Sequence, residues 1–129
     1  MTRAEHSMEE QRRFVRLAVP AAASYVVLPG VEQRTAATKD IGGGGLGLMV
    51  EHAIAAGDML QMAISLPGRG EPVNCTAQVL NTTQHEVLSR EHRQRITQVN
   101  AKFMDVAPVD QQAVMDFVRA SLQPVQAEG

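Results

Sequence analysis

The stretch "LQMAISLPGRGEPVNCTAQV", residues 60–79, decides the fold. Leu60, Met62, Ile64 and Leu66 share one face of an extended chain, and Val73, Cys75, Ala77 and Val79 share one face of the next. A helix would space its apolar residues three and four apart. The alternation on both sides of Pro67-Gly68 and Gly70 reads as two antiparallel strands joined by a longer hairpin loop.

Working outward, "TQVNAKFMDV" (97–106) repeats the pattern, with Val99, Ala101 and Phe103 inward and Gln98, Asn100 and Lys102 outward. The charged link "SREHRQR" (89–95) joins it to the strand before it, and Arg90, Arg93 and Arg95 read as a solvated hairpin tip, with a partner-docking surface as the alternative. Upstream, Val15, Leu17, Val19 and Ala21 alternate with Arg16, Ala18 and Pro20, a strand in which Pro20 indicates an edge or a bulge. "SYVVLPG" (24–30) stays extended up to a turn at Pro29-Gly30, "VEQRTAATKDI" (31–41) is a weaker strand, and "LGLMVEH" (46–52) resumes after the glycine run Gly42–Gly45. Only the end is helical. Val114, Phe117, Val118 and Leu122 form one stripe between Pro108 and Leu122, with Pro108 suited to the first turn, Asp110 to the positive helix start and Pro124 to the stop. About six short strands followed by one helix give a mainly β chain, a small antiparallel barrel or sandwich capped by that helix.

The chain has 129 residues, the size of one domain, and its 44% hydrophobic and 20% charged content is that of a globular protein. Residues 1–13 are polar and read as a flexible arm, residues 14–124 as the folded domain and residues 125–129 as a tail. Aromatic residues are scarce (one Tyr, three Phe), so aliphatic residues and seven Met must fill the interior. The lone Cys75 has no disulfide partner and fits a reducing compartment, and neither a signal peptide nor a membrane span is recognised, so a cytoplasmic location is expected. A net charge of −2 does not recruit DNA or RNA through the field of the whole molecule. An anionic ligand would have to be held locally.

Two local features suit that task. "QRRFVRL" (11–17) places Arg12, Arg13 and Arg16 together, and Arg12 and Arg16 project to one face in an extended or a helical chain. Guanidinium groups meet phosphate oxygens and the O6 and N7 of guanine bidentately, which lysine cannot do. "KDIGGGGLG" (39–47) removes four successive side chains, allowing positive φ and close backbone approach to a ligand, with Asp40 at its mouth able to accept from a guanine edge or to anchor one of the arginines. It is neither a Walker loop nor a dinucleotide fingerprint, and as glycines alone it would be a flexible turn. The four histidines show no metal-ligand spacing with Cys75, and Ser24 and Ser65 lack a nucleophile motif, so neither a metal nor an enzyme is expected.

Taken together, Arg-x-x-x-Arg at Arg12 and Arg16 followed by Asp-x-Gly-x-x-Gly at Asp40–Gly45 resembles the PilZ domain family, whose pattern is Arg-x-x-x-Arg and then Asp/Asn-x-Ser-x-x-Gly. The resemblance covers about residues 10–122, with "VNAKFMDV" in place of the family's late barrel strand. It implies a six- to seven-stranded antiparallel β-barrel with a C-terminal α-helix and a bacterial receptor for the second messenger cyclic di-GMP. It further implies that Arg12, Arg13 and Arg16 clamp phosphate and guanine, that Asp40 reads a guanine edge, and that the backbone of Gly42, Gly43, Gly44 and Gly45 lets the nucleotide approach. The arm before Arg12 would fold over the ligand, and the change of shape would be read by a downstream protein partner in motility, adhesion or exopolysaccharide control. No cofactor is implied. Gly42 stands where the family usually has serine; losing one neutral hydrogen bond weakens binding by about 2- to 13-fold. Asn100 stands where a glycine is common. A degenerate adaptor that acts only by protein contact is the alternative reading.

Overall fold

The computed structural model describes residues 16–91 and 93–128. Among the described residues, seven strands precede one helix: β1 (Arg16–Leu17), β2 (Ala22–Val27), β3 (Arg34–Gly42), β4 (Gly45–Val50), β5 (Met59–Ser65), β6 (Val73–Leu88), β7 (Arg93–Val106) and α1 (Pro108–Glu128). The order β3–β2–β5–β6–β7–β4 closes on itself through a β3–β4 pairing, and β1 lies against β3 as an extra strand. Every pairing is antiparallel. The hairpin read from residues 60–79 is the β5–β6 unit, in which Gly68 adopts the left-handed conformation its turn requires (φ 82).

The alternation within each strand decides what the barrel holds. Leu60, Met62 and Ile64 of β5, Val73, Ala77 and Val79 of β6, and Val99, Ala101 and Phe103 of β7 are buried with Ile41, Leu46, Leu48, Val50 and Tyr25. Cys75 belongs to the same core. From α1, Val114 and Val118 enter that core, Phe117 packs against it half-buried, and the helix rests on β3 and β6. Fully burying one such aliphatic side chain stabilises by about 1.5–3 kcal/mol.

Three boundaries differ from the sequence reading. The stretch 15–21 is not one strand: β1 ends at Leu17 and β2 starts at Ala22. Pro20 has no N–H to give the ladder, and buried Thr38 of β3 fills the break. Its Oγ1 donates to Val19 O (2.6 Å) and accepts from Ala21 N (2.8 Å), while its own N donates to Ala21 O (2.9 Å). β6 and β7 run much longer than expected, because their exposed ends pair from His85–Ile96 to Leu88–Arg93 as a two-stranded ribbon outside the core. The helix continues through Pro124 to Glu128 instead of stopping there. Proline removes one helical hydrogen bond, and Gln, Ala and Glu around it favour helix.

Candidate functional site

The outer face of the β3–β4–β7 wall carries Arg16, Asp40 and the glycine corner. Arg16 of β1 stands opposite Gly42 of β3, while Leu17 stands opposite the buried Ile41. This register sends the Arg16 side chain outward along β3, where its Nη1 donates to Asp40 Oδ1 at 3.2 Å. The two side chains keep 38% and 25% of their exposure, so water still reaches the pair.

Asp40 reaches this face because β3 carries a bulge. Thr38 pairs with Leu48 and Asp40 with Gly47, which leaves Lys39 as the extra residue. Strict alternation from buried Thr38 would send Asp40 into the core. The inserted residue turns both Lys39 and Asp40 outward and returns Ile41 to the interior.

The glycine corner works differently from its sequence reading. Gly43 and Gly44 form the bend between β3 and β4, and none of Gly42–Gly45 uses a left-handed φ. What they supply is closeness. A Cβ on Gly45 would lie 2.3 Å from Ala101 O, because β4 and β7 approach there backbone to backbone. Phe103 N donates to Gly44 O (3.0 Å), and Gln111 Nε2 of α1 donates to Gly43 O (2.8 Å). The corner is thereby fixed to the barrel on one side and to the helix on the other. Gly42, Gly43 and Gly45 are buried and Gly44 half-buried.

Three further residues belong to this face. Gly47, opposite Asp40, leaves a notch: a Cβ there would lie 2.9 Å from Asp40 Oδ1 and 3.5 Å from Asn100 Oδ1. Asn100, opposite Gly47 on β7, donates from Nδ2 to Asn81 Oδ1 at 2.8 Å. Lys102, opposite Gly45, is exposed on the same side. The signal for Gly47 was its even spacing from Gly45 within a strand, and glycine inside a strand marks close approach. Asn81 carried no local signal.

Of the residues named from sequence, the structure brings Arg16, Asp40 and Gly42–Gly45 together; Arg12 and Arg13, with the arm before them, lie outside the described residues. Among the described residues no group of His, Cys, Asp and Glu could hold a metal ion. Cys75 is a core thiol whose pKa burial pushes up to about 12, with Asp110 adding to the shift. At the hairpin tip, Arg93 is paired with Glu86 at 3.1 Å, and both are well exposed. No helix among the described residues is long and apolar enough to cross a membrane.

Comparison with known proteins places this geometry in a family. Among curated proteins, none matches the chain. Among solved structures, the PilZ domain of YcgR from Escherichia coli with c-di-GMP is similar at 17% identity and a TM-score of 0.67, over 92% of this chain and 95% of that one. The K. pneumonia MrkH–c-di-GMP complex is similar at 16% identity and a TM-score of 0.71, and the Bacillus subtilis inhibitor of motility at 19% and 0.64. This chain covers 92% and 87% of its own length in those two matches but only 54% and 52% of theirs. The family model for the PilZ domain matches residues 10–120, so the chain belongs to the PilZ domain family.

Proposed function

We propose that this protein is a receptor for cyclic di-GMP, bound on the outer β3–β4–β7 face and read by a partner protein. The observation that carries the reading is the meeting of Arg16 and Asp40, 24 residues apart in sequence, at the edge of the glycine corner. Arg16, joined by Arg12 and Arg13, supplies planar donors for phosphate oxygens and guanine; Asp40 accepts from the guanine N1–H and N2–H edge. The exposed cations Lys39 and Lys102 add to the local field for a dianion. The similarity to c-di-GMP-bound YcgR and MrkH structures supports the choice of ligand.

Magnitudes favour binding over the internal pair. An exposed ion pair such as Arg16–Asp40 is worth about 0–1 kcal/mol, whereas each charge-assisted hydrogen bond to phosphate or base is worth about 1.5–3 kcal/mol. Releasing Arg16 to the nucleotide therefore costs less than it returns. The glycine corner next to it is tied to α1 through Gln111, which offers the partner a ligand-sensitive surface at the helix. On this reading the role is recognition rather than catalysis.

Titration calorimetry with cyclic di-GMP tests the assignment. Saturable heat with the native chain and its loss in Arg16→Ala is the expected result. Heat that is equal in both would remove Arg16 from the site, and no heat in either would leave the non-binding adaptor, the reading that Gly42 favours.

A further inference from the structure

Asp40, Gly47, Asn100 and Asn81 form one row across four adjacent strands, each opposite the next: Asp40 with Gly47, Gly47 with Asn100, and Asn100 with Asn81. Residues directly opposite in an antiparallel ladder project to the same face. Here Gly47 contributes no side chain, so the row becomes a notch walled by Asp40 on one side and Asn100 on the other. Asn100 is half-buried and Asn81 exposed.

One hydrogen bond orients the amide of Asn100. Its Nδ2 donates to Asn81 Oδ1 at 2.8 Å, which faces its Oδ1 toward the notch, 3.5 Å from the point a Gly47 Cβ would occupy. Asp40 Oδ1 lies 2.9 Å from that same point. Two acceptor oxygens thus look into one space. A carboxylate and an amide oxygen call for a ligand edge made of donors, and a ring nitrogen with a lone pair would be repelled there.

We propose that Asn100, held in orientation by Asn81, reads the exocyclic 2-amino group of guanine, an inference that rests on the cyclic di-GMP reading above. The Asp40 carboxylate spans N1–H and one N2–H of the base. The second N2–H remains, and Asn100 Oδ1 across the notch accepts it. Adenine presents an unprotonated N1 toward the same oxygens and carries no 2-amino group, so the notch rejects it. Asn100 is a contact residue in this scheme, and Asn81 is a positioning residue that acts through it.

Cyclic di-IMP isolates the claim, because hypoxanthine keeps N1–H and lacks the 2-amino group. Calorimetry on the native chain, Asn100→Ala and Asn81→Ala with both dinucleotides measures the preference for cyclic di-GMP over cyclic di-IMP. The expected result is a preference that Asn100→Ala lowers by about 2- to 13-fold, the worth of one neutral hydrogen bond, and that Asn81→Ala lowers by less. Equal melting temperatures show that the surface substitutions leave the fold intact. A preference unchanged in Asn100→Ala overturns the role of Asn100 while leaving the receptor reading in place. If the native chain binds neither dinucleotide, both readings fall together.

Discussion

Asp40 and Gly47 face one another across the β3–β4 ladder, and a Cβ on Gly47 would stand 2.9 Å from Asp40 Oδ1, too close for the carboxylate to stay where it meets Arg16. Two residues earlier, a Cβ on Gly45 would stand 2.3 Å from the carbonyl oxygen of Ala101. The obstacles differ in kind, since a side-chain end can swing aside and a paired backbone cannot.

Gly47→Ala and Gly45→Ala should therefore separate function from folding. Gly47→Ala displaces the Asp40 carboxylate and lowers cyclic di-GMP affinity by about 13-fold or more, since at least one of its charge-assisted hydrogen bonds to the base is lost, with urea denaturation changed by less than about 1 kcal/mol. Gly45→Ala forces β4 from β7 and destabilises the fold by about 1–3 kcal/mol. Equal stability losses in the two variants would contradict this division.

The Arg16–Asp40 pair itself should matter little to the fold. With both side chains still in contact with water, a double-mutant cycle of Arg16→Ala and Asp40→Ala on chemical denaturation is expected to give a coupling below about 1 kcal/mol. A larger coupling would identify the pair as a structural brace.

Thr38 bears a heavier structural load. Thr38→Val keeps the shape but leaves Ala21 N–H without its acceptor and Val19 C=O without its donor, at about 1–3 kcal/mol for each orphaned group. Thr38→Ser keeps the hydroxyl and gives up only a methyl group. Denaturant titration should rank serine as the milder change, and a valine variant as stable as the serine one would deny the stitch between β1 and β2.

These cases show which parts of the molecule were legible in the sequence. Alternation over residues 60–79 and 97–106 is a local record of inside and outside, so the barrel strands could be read from it. The break at Pro20 could be anticipated from proline's missing N–H, but its repair comes from Thr38, 17 and 19 residues away along the chain from its two partners. Local periodicity cannot show that. The bulge at Lys39 reverses the face on which Asp40 lies, and it exists only in the register of β3 against β4. The motif found Arg16, Asp40 and the glycine corner by spacing. The different duties of Gly45 and Gly47 are set by β7 and by a carboxylate, and a glycine has no side chain to advertise them.

Cys75 gives a last, independent check on the core. Burial pushes its thiol from an ordinary value near 9.0 up to about 12, and the charge of Asp110 pushes the same way. Above pH 9 the unfolded chain gives up this proton while the folded chain keeps it, so the unfolded state binds fewer protons and stability falls as pH rises toward 12. Tyr25, also raised by burial with Arg34 opposing, contributes with the same sign. Comparing native protein with Cys75→Ala removes the tyrosine contribution, which both share. The stability advantage of the native chain should shrink by about 2 kcal/mol between pH 8.5 and 10.5, and none of that loss should occur below pH 8. An advantage that stays constant across this range would place the thiol in contact with water, and with it the β6 face that carries Val73, Ala77 and Val79.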